Sequence, residues 1–482
     1  MADPSSLLPD SEPELERPAP PDRGLFRGGL LALVGTVGYY ACYTKLSATT
    51  ELYEGLAIIV LAALPALIWA RRATHEFPVF EVFMLTGINI YALPLLNGQN
   101  ELLTYSESVV EQAAAAVLFF QIIAIFVYAI TRGLPGRTPF WTEEVISRDV
   151  GKYLGYGLGL TTIYTGIATF SDLIPRDLEA PLRAVFYGLG IISTFVQGRR
   201  WGQDDLTYQE KIFYVLNIVL QVVFTFATLY LIAGISLIVL ALLGYVSGSK
   251  RRPVIAIAII LPIIALLHNG KTTMREKYWA VDNNNRDKDV SMPSPSELPA
   301  FYTEWIQDGL DLHQKSSLTE KLIQRTSLFQ MICLVVDNSP DRLPYLDGET
   351  YGQIPGQFIP RFFWAEKPVA HISTYTLSIY YGLQRIEDTK TTTIAFGLLA
   401  EAYANFGFYG VGMFAAVFAF CLKKYGLWAQ YSPILSYAGL LLVLLMAWSF
   451  QTELTLSIWL SSLFQAAVAV LGVPFILRHF LG

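Results

Sequence analysis

The chain has 482 residues, 53% of them hydrophobic and only 15% charged, with a formal net charge of −6. Its apolar residues come in long runs, which marks a polytopic membrane protein and excludes an ordinary soluble enzyme. The charge is spread over tails and loops with no basic block, which excludes a nucleic-acid partner, and three scattered cysteines, Cys42, Cys333 and Cys421, set neither a disulfide framework nor metal-ligand spacing.

Residues 1–24 are rich in proline and acid and lack the basic start of a cleaved signal, so they read as a disordered cytoplasmic tail. Windows of about 20 apolar residues, long enough to cross the hydrocarbon layer, then run over Leu25 to Leu46, Tyr53 to Ala70, Phe77 to Leu96, Val109 to Ile130, Lys152 to Phe170 and Pro181 to Val196. Lys211 to Val246 is too long for one crossing and divides near Leu229 to Ala233. Pro253 to Leu267 follows and leads into a polar stretch. Beyond it come Phe408 to Leu422, Pro433 to Phe450 and Leu456 to Leu477.

The expected fold is therefore an all-α polytopic membrane protein with about twelve transmembrane helices. A membrane domain over 25–267 precedes one large extracytoplasmic loop over 268–393, and a second membrane domain over 394–482 follows. Arg71, Arg72, Arg132, Arg137, Arg148, Arg199, Arg200, Lys250 to Arg252, Lys423, Lys424 and Arg478 all fall on one side of these spans. Basic residues gather in cytoplasmic loops, so both termini are expected inside and the large loop outside.

Polar residues inside the spans are few. Asn217 and Gln221 share a helix face and suit an interhelical hydrogen bond. Glu81 and Glu111 sit near span ends. Tyr153, Tyr156, Thr161, Thr162 and Tyr164 make the fifth span unusually polar, either as an inward-packed helix whose hydroxyls bond backbone or as the lining of a sugar or lipid-headgroup cavity.

Within the loop, residues 282–298 read as a surface connection. Leu298, Phe301, Trp305 and Leu310 then suit a short helix, and the apolar residues from Leu318 to Val336 recur at a helical period with Arg325 in their midst. From His268 to Lys390 there are thirteen basic and sixteen acidic residues, so the loop is no cationic patch and any anion site must be local. Arginine presents two parallel donors to phosphate oxygens and stays charged. Arg275, Arg325 and Arg361 stand among apolar or aromatic neighbours, with Lys271 and Lys367 near them, and are the candidates; a surface arginine paired with an adjacent acid is the alternative for each.

The order of GKTTMREKYW after a span, an arginine in a mid-loop helix, GETYG leading to IPRFFWAEKP, and a small-residue run holding Glu401, Tyr403, Asn405, Phe406, Gly407 and Gly410 resembles bacterial O-antigen polymerases of the Wzy type and related oligosaccharide repeat-unit polymerases. The resemblance implies polymerisation of repeat units carried on undecaprenyl diphosphate, by glycosyl transfer at the periplasmic face of the inner membrane, with neither metal nor cofactor. Membrane lipid, a flippase and a chain-length regulator would be its partners, and an O-antigen, capsule or exopolysaccharide its product. On that reading Arg275, Arg325, Arg361, Lys367 and Lys271 bind the diphosphate, Glu401 or His371 takes the acceptor proton, and Tyr278, Trp279, Trp305 and Tyr351 are candidates to stack on sugar. A lipid-linked glycan flippase and a ligase-like transferase are the alternatives.

Overall fold

An apolar run inside a bilayer has no water for its backbone, so it closes its N–H and C=O groups on itself as a helix. A computed structural model describes residues 23–43, 49–71, 77–98, 102–131, 144, 148–171, 173–174, 176–229, 231–249, 253–278, 293–310, 328–359, 364, 367–368, 371–387, 389, 393–429 and 432–481. Among them every regular element is helical; the β contact between Glu144 and Ser436 is an isolated bridge.

In chain order the helices are α1 (Arg23–Tyr43), α2 (Thr49–Arg71), α3 (Val79–Leu96), α4 (Glu107–Ile130), α5 (Arg148–Phe170), α6 (Arg176–Gly202), α7 (Tyr208–Ala227), α8 (Leu231–Gly248) and α9 (Val254–Tyr278). Then come α10 (Leu298–Leu310), α11 (Phe329–Asn338), α12 (Glu349–Gly352), α13 (Ile354–Gln357), α14 (Ile372–Tyr380), α15 (Leu398–Trp428), α16 (Tyr437–Trp448) and α17 (Leu456–Leu481). Among the described residues, α3, α4, α7, α15 and the stretch 50–71 of α2 are long and apolar enough to cross a membrane.

The long run from Lys211 to Val246 divides where hydropathy indicated: α7 stops at Ala227, Leu229 takes a positive φ of 59°, and α8 starts at Leu231. The polar fifth span, α5, packs inward on its threonine side, while Tyr153 and Tyr156 are exposed. Thr161, Thr162 and Thr165 donate to the carbonyls of Gly157, Leu158 and Thr161, and Gln221 Nε2 reaches across to Thr162 Oγ1 at 2.9 Å.

The helix before the loop departs from expectation. α9 does not end at Leu267 but continues through GKTTMREKY to Tyr278. Leu267 and Met274, seven apart on one face, pack with Phe301 and Trp305 of α10, so the helix persists beyond its apolar stretch because a partner covers it. Gly270 and Gly309 allow the close approach, since a side chain at either would strike the backbone of Trp305 or Leu266.

A second close crossing joins α6 to α8. Gly198 and Gly202 on one helix face Gly244 and Gly248 on the other, and a Cβ at any of the four would meet a backbone carbonyl oxygen opposite. Two small-xxx-small faces thus interlock, the arrangement that brings helix backbones together in lipid.

The tenth expected span holds the most irregular backbone. α15 is two helices, because Phe406 (φ −145°, ψ 17°) and Gly407 (φ 59°, ψ −142°) leave helical geometry. The chain then doubles back: Gly410 sits directly on the carbonyl of Ala402, the rings of Tyr403 and Phe408 lie 5.6 Å apart, and Leu398, Leu399 and Phe414 line one cavity. Residues 398–405 form a half-helix beside 408–428, so the apolar helical stretch begins at Leu398, ahead of the expected span start at Phe408.

The crossing of α6 and α8 generates a direct test. Gly244→Val drives a branched side chain into the Phe195 carbonyl and should destabilise the protein by about 1–3 kcal/mol, read as a lower melting temperature in detergent. Gly426→Ala, which meets nothing within 4 Å, should not lower it.

Candidate functional site

Breaking a helix inside an apolar bundle frees backbone groups that need new partners. The loop supplies them. Leu346 N–H donates to Ala404 O and Asp347 N–H to Asn405 O, both at 3.1 Å. Gly348, at φ 91°, turns the loop so that its own N–H reaches Asn405 Oδ1 at 3.0 Å. Asn405 Nδ2 completes the clamp, donating to Thr350 Oγ1 at 2.9 Å and back to Glu401 O at 2.8 Å. Gly407 faces the Tyr345 hydroxyl so closely that a Cβ would lie 2.5 Å from it.

Glu401 lies at the centre of this joint and is fully buried. Its Oε2 accepts from the Leu456 N–H, the first residue of α17, at 2.6 Å. A carboxylate suits that position because the helix N-terminus carries partial positive charge. The Thr350 hydroxyl stands beside the carboxylate, while Oε1 closes no hydrogen bond. Buried hydroxyls surround it: Ser373 Oγ donates to Thr350 O at 3.0 Å, and Thr374 Oγ1 pairs with Thr455 Oγ1 at 3.1 Å. Tyr351 is within electrostatic reach; burial, and then the Glu401 charge, push its hydroxyl above the ordinary range.

His371 begins α14 two residues before Ser373, so it borders the same joint. Its ring stacks on Tyr375 and its Nδ1 is buried without a partner. Burial first, and then the positive charge of Arg183, lower its pKa. Lys367 is committed to the loop backbone, its Nζ donating to Gln357 O at 2.7 Å and Ile359 O at 2.9 Å just after α13. Of these candidates Tyr351 stands with Glu401 at the turn, while His371 borders it through α14 and Lys367 holds the carbonyls of Gln357 and Ile359.

The other described candidates belong to the packing of α9 and α10. Lys271 and Arg275 lie four apart on α9, and the Arg275 side chain is outside the described residues. Tyr278 donates its hydroxyl to Glu304 Oε2 at 3.1 Å. Lys277 bonds Glu304 and Asp308, which raises its pKa and lowers that of Glu304. Trp305 is fully buried and donates Nε1–H to Leu267 O at 2.7 Å, so it has no face open to a sugar. Arg325, Arg361 and Trp279 lie outside the described residues.

Sequence reading missed Thr350, Thr374, Thr455 and Arg183. Hydroxyl residues in a polar loop carry no periodic signal, and Arg183 shows only as a basic residue early in α6.

A family model described as a domain of unknown function (DUF8712) matches residues 193–434, half of the chain. The chain belongs to that family. The match takes in the crossing of α6 and α8, the whole loop and the re-entrant turn. No curated protein and no solved structure matches the chain.

Two outcomes follow from this geometry. Asn405→Ala leaves Gly348 N–H and the Thr350 hydroxyl without their partner and should cost about 1–3 kcal/mol; amide exchange over 346–350 should rise, and unchanged exchange there refutes the clamp. For His371 the folded pKa lies below 6.5, so its contribution to stability is complete above that pH and is lost as the pH falls through the folded value. The melting temperature should drop on acidification below 6.5, and His371→Gln should flatten that slope; equal slopes count against the buried neutral ring.

Proposed function

We propose that the protein is a membrane glycosyltransferase that polymerises oligosaccharide repeat units carried on undecaprenyl diphosphate. The reading rests on one observation above others: loop residues 346–350 dock on a deliberately broken helix and gather Glu401, Tyr351 and a set of hydroxyls at the joint. Irregular backbone within an apolar bundle is tolerated where it is buried in protein or lines a cavity. On this proposal the chain crosses a bacterial inner membrane about twelve times, with both termini cytoplasmic and the loop periplasmic.

In the proposed reaction the acceptor sugar's hydroxyl oxygen attacks the donor's anomeric carbon. The bond from that carbon to the diphosphate oxygen breaks, and undecaprenyl diphosphate leaves with the electron pair. The hydroxyl proton passes to Glu401, with His371 as the second candidate. The cations proposed to stabilise the charge growing on the leaving diphosphate are Arg275, Arg325 and Arg361, with Lys271 and Lys367 as helpers. Tyr351 and Tyr278 remain the candidates to contact sugar. Because Glu401 is fully buried, the acceptor reaches it only when the loop over 346–350 lifts from the turn.

A transporter of the same lipid-linked glycan is the second reading, because half-helices that end inside the bundle also build transport sites. Gel analysis of surface glycan separates the two. Arg275→Ala, Arg325→Ala and Arg361→Ala should each shorten the ladder toward a single repeat; three full-length ladders at normal protein level exclude the arginine mechanism. Loss of all surface glycan favours transport or ligation. Glu401→Gln keeps an acceptor for Leu456 N–H and should fold, with polymerisation reduced on the order of 10²–10⁴-fold.

A further inference from the structure

Where α9 outlasts its apolar run, α10 accompanies it at a slant. The turn Ser294–Glu297 starts α10, with the Ser294 N–H and hydroxyl both donating to Glu297 Oε2 at 2.8 Å. Near its beginning the Phe301 ring packs on Tyr278, 5.0 Å between centroids. One turn later Trp305 Nε1–H meets Leu267 O, and Gly309 lies against the carbonyl of Leu266. From Tyr278 back to Leu267 is roughly 16 Å of helix at 1.5 Å per residue. α10 thus descends from the polar end of α9 to Leu266 and Leu267, the last apolar residues before His268, Asn269 and Lys271.

Its other edge meets α7. The Tyr302 hydroxyl donates to Val223 O, about one turn short of the end of that helix. α7 is long and apolar enough to cross a membrane, and Ile212, Leu216 and Val219 are exposed along the row that Val223 continues. In a spanning helix such a row faces lipid, and α10 sits at its end.

The side of α10 turned away from both helices carries no charge. Pro299, Thr303, Ile306 and Leu310 are exposed on one face, Ile306 by 40% and Leu310 by 60%, with Ala300 and Gln307 beside them. Glu304 and Asp308 lie on the flank and are both bonded by Lys277 of α9. A surface helix in water presents its charged residues outward; here they are drawn toward α9.

We propose that this outward face is a lipid-contact surface. α10 lies at the boundary between headgroups and acyl chains, in the leaflet on the loop's own side, with Ile306 and Leu310 among the chains. The polar DLHQK that follows Leu310 keeps the insertion shallow, on the order of 5–10 Å as in other interfacial helices. The loop is thereby moored to the bilayer beside α7 and α9, whatever reaction it serves.

Spin labelling of the full-length protein in phosphatidylcholine nanodiscs tests this. With Cys42, Cys333 and Cys421 replaced by alanine, single nitroxides are placed at Ile306, at Leu310 and, as the reference ahead of the helix, at Ser296. All three positions are exposed, so a label there leaves the packing intact. Oxygen concentrates among acyl chains while a nickel chelate stays in water, so the ratio of their collision rates at Ile306 and Leu310 should exceed that at Ser296 several-fold. A ratio no higher than that of Ser296 at either position puts the face in water and overturns the proposal. Low collision with both reagents overturns it too, because protein, from this chain or a second copy, then covers the face.

Discussion

The architecture depends on satisfying the backbone that the Phe406–Gly407 break releases. In water such a break is cheap, because solvent pairs with the freed groups; in an apolar bundle the partners must come from the protein. Here they come from three places at once. The loop donates two N–H groups to the carbonyls of Ala404 and Asn405, the Asn405 side chain binds the loop in return, and Glu401 reaches the first N–H of α17. Elements far apart in sequence are thus fastened at one buried point.

Packing around that point uses two different means. Against α4 the turn is held by large side chains: Phe119 meets Phe408, Phe120 stacks near Phe414, and Gln112 donates to the Tyr403 hydroxyl at 3.1 Å. The α6 and α8 pair relies instead on glycines that let backbones touch, beside an edge contact of Trp201 with Tyr245 at 6.3 Å. Loss of a large side chain leaves a cavity, whereas gain of a small one at a glycine forces the helices apart.

Much of the helical frame was legible from hydropathy, because a run of apolar residues has one low-energy backbone solution in lipid. The division near Leu229 was read correctly for that reason. Hydropathy marks where apolar surface ends, however, and not where a helix ends, so the continuation of α9 to Tyr278 under the cover of α10 was invisible. The site was less legible still. Glu401, Asn405 and Gly407 stood out as an ordered motif, but a motif does not say which distant N–H a carboxylate will meet. Lys367 read as a headgroup cation and holds two carbonyls; Trp305 read as a sugar platform and fills a core. Long polar and aromatic side chains serve packing and recognition equally well, and only their neighbours decide.

The contact between Glu401 and Leu456 has a consequence for how the molecule can be divided. Residues 193–434 are the stretch matched by the family model, yet the groups that complete the turn lie beyond both of its ends. Leu456 N–H and the Thr452 and Glu453 carbonyls follow it, and Gln112 precedes it. An excised fragment with those bounds would begin inside α6 and expose a carboxylate, two helix-start N–H groups and a tyrosine hydroxyl that the whole chain keeps paired. The recurring sequence and the cooperative folding unit are therefore different objects, and a soluble or minimal version of this protein cannot be cut along the family's edges.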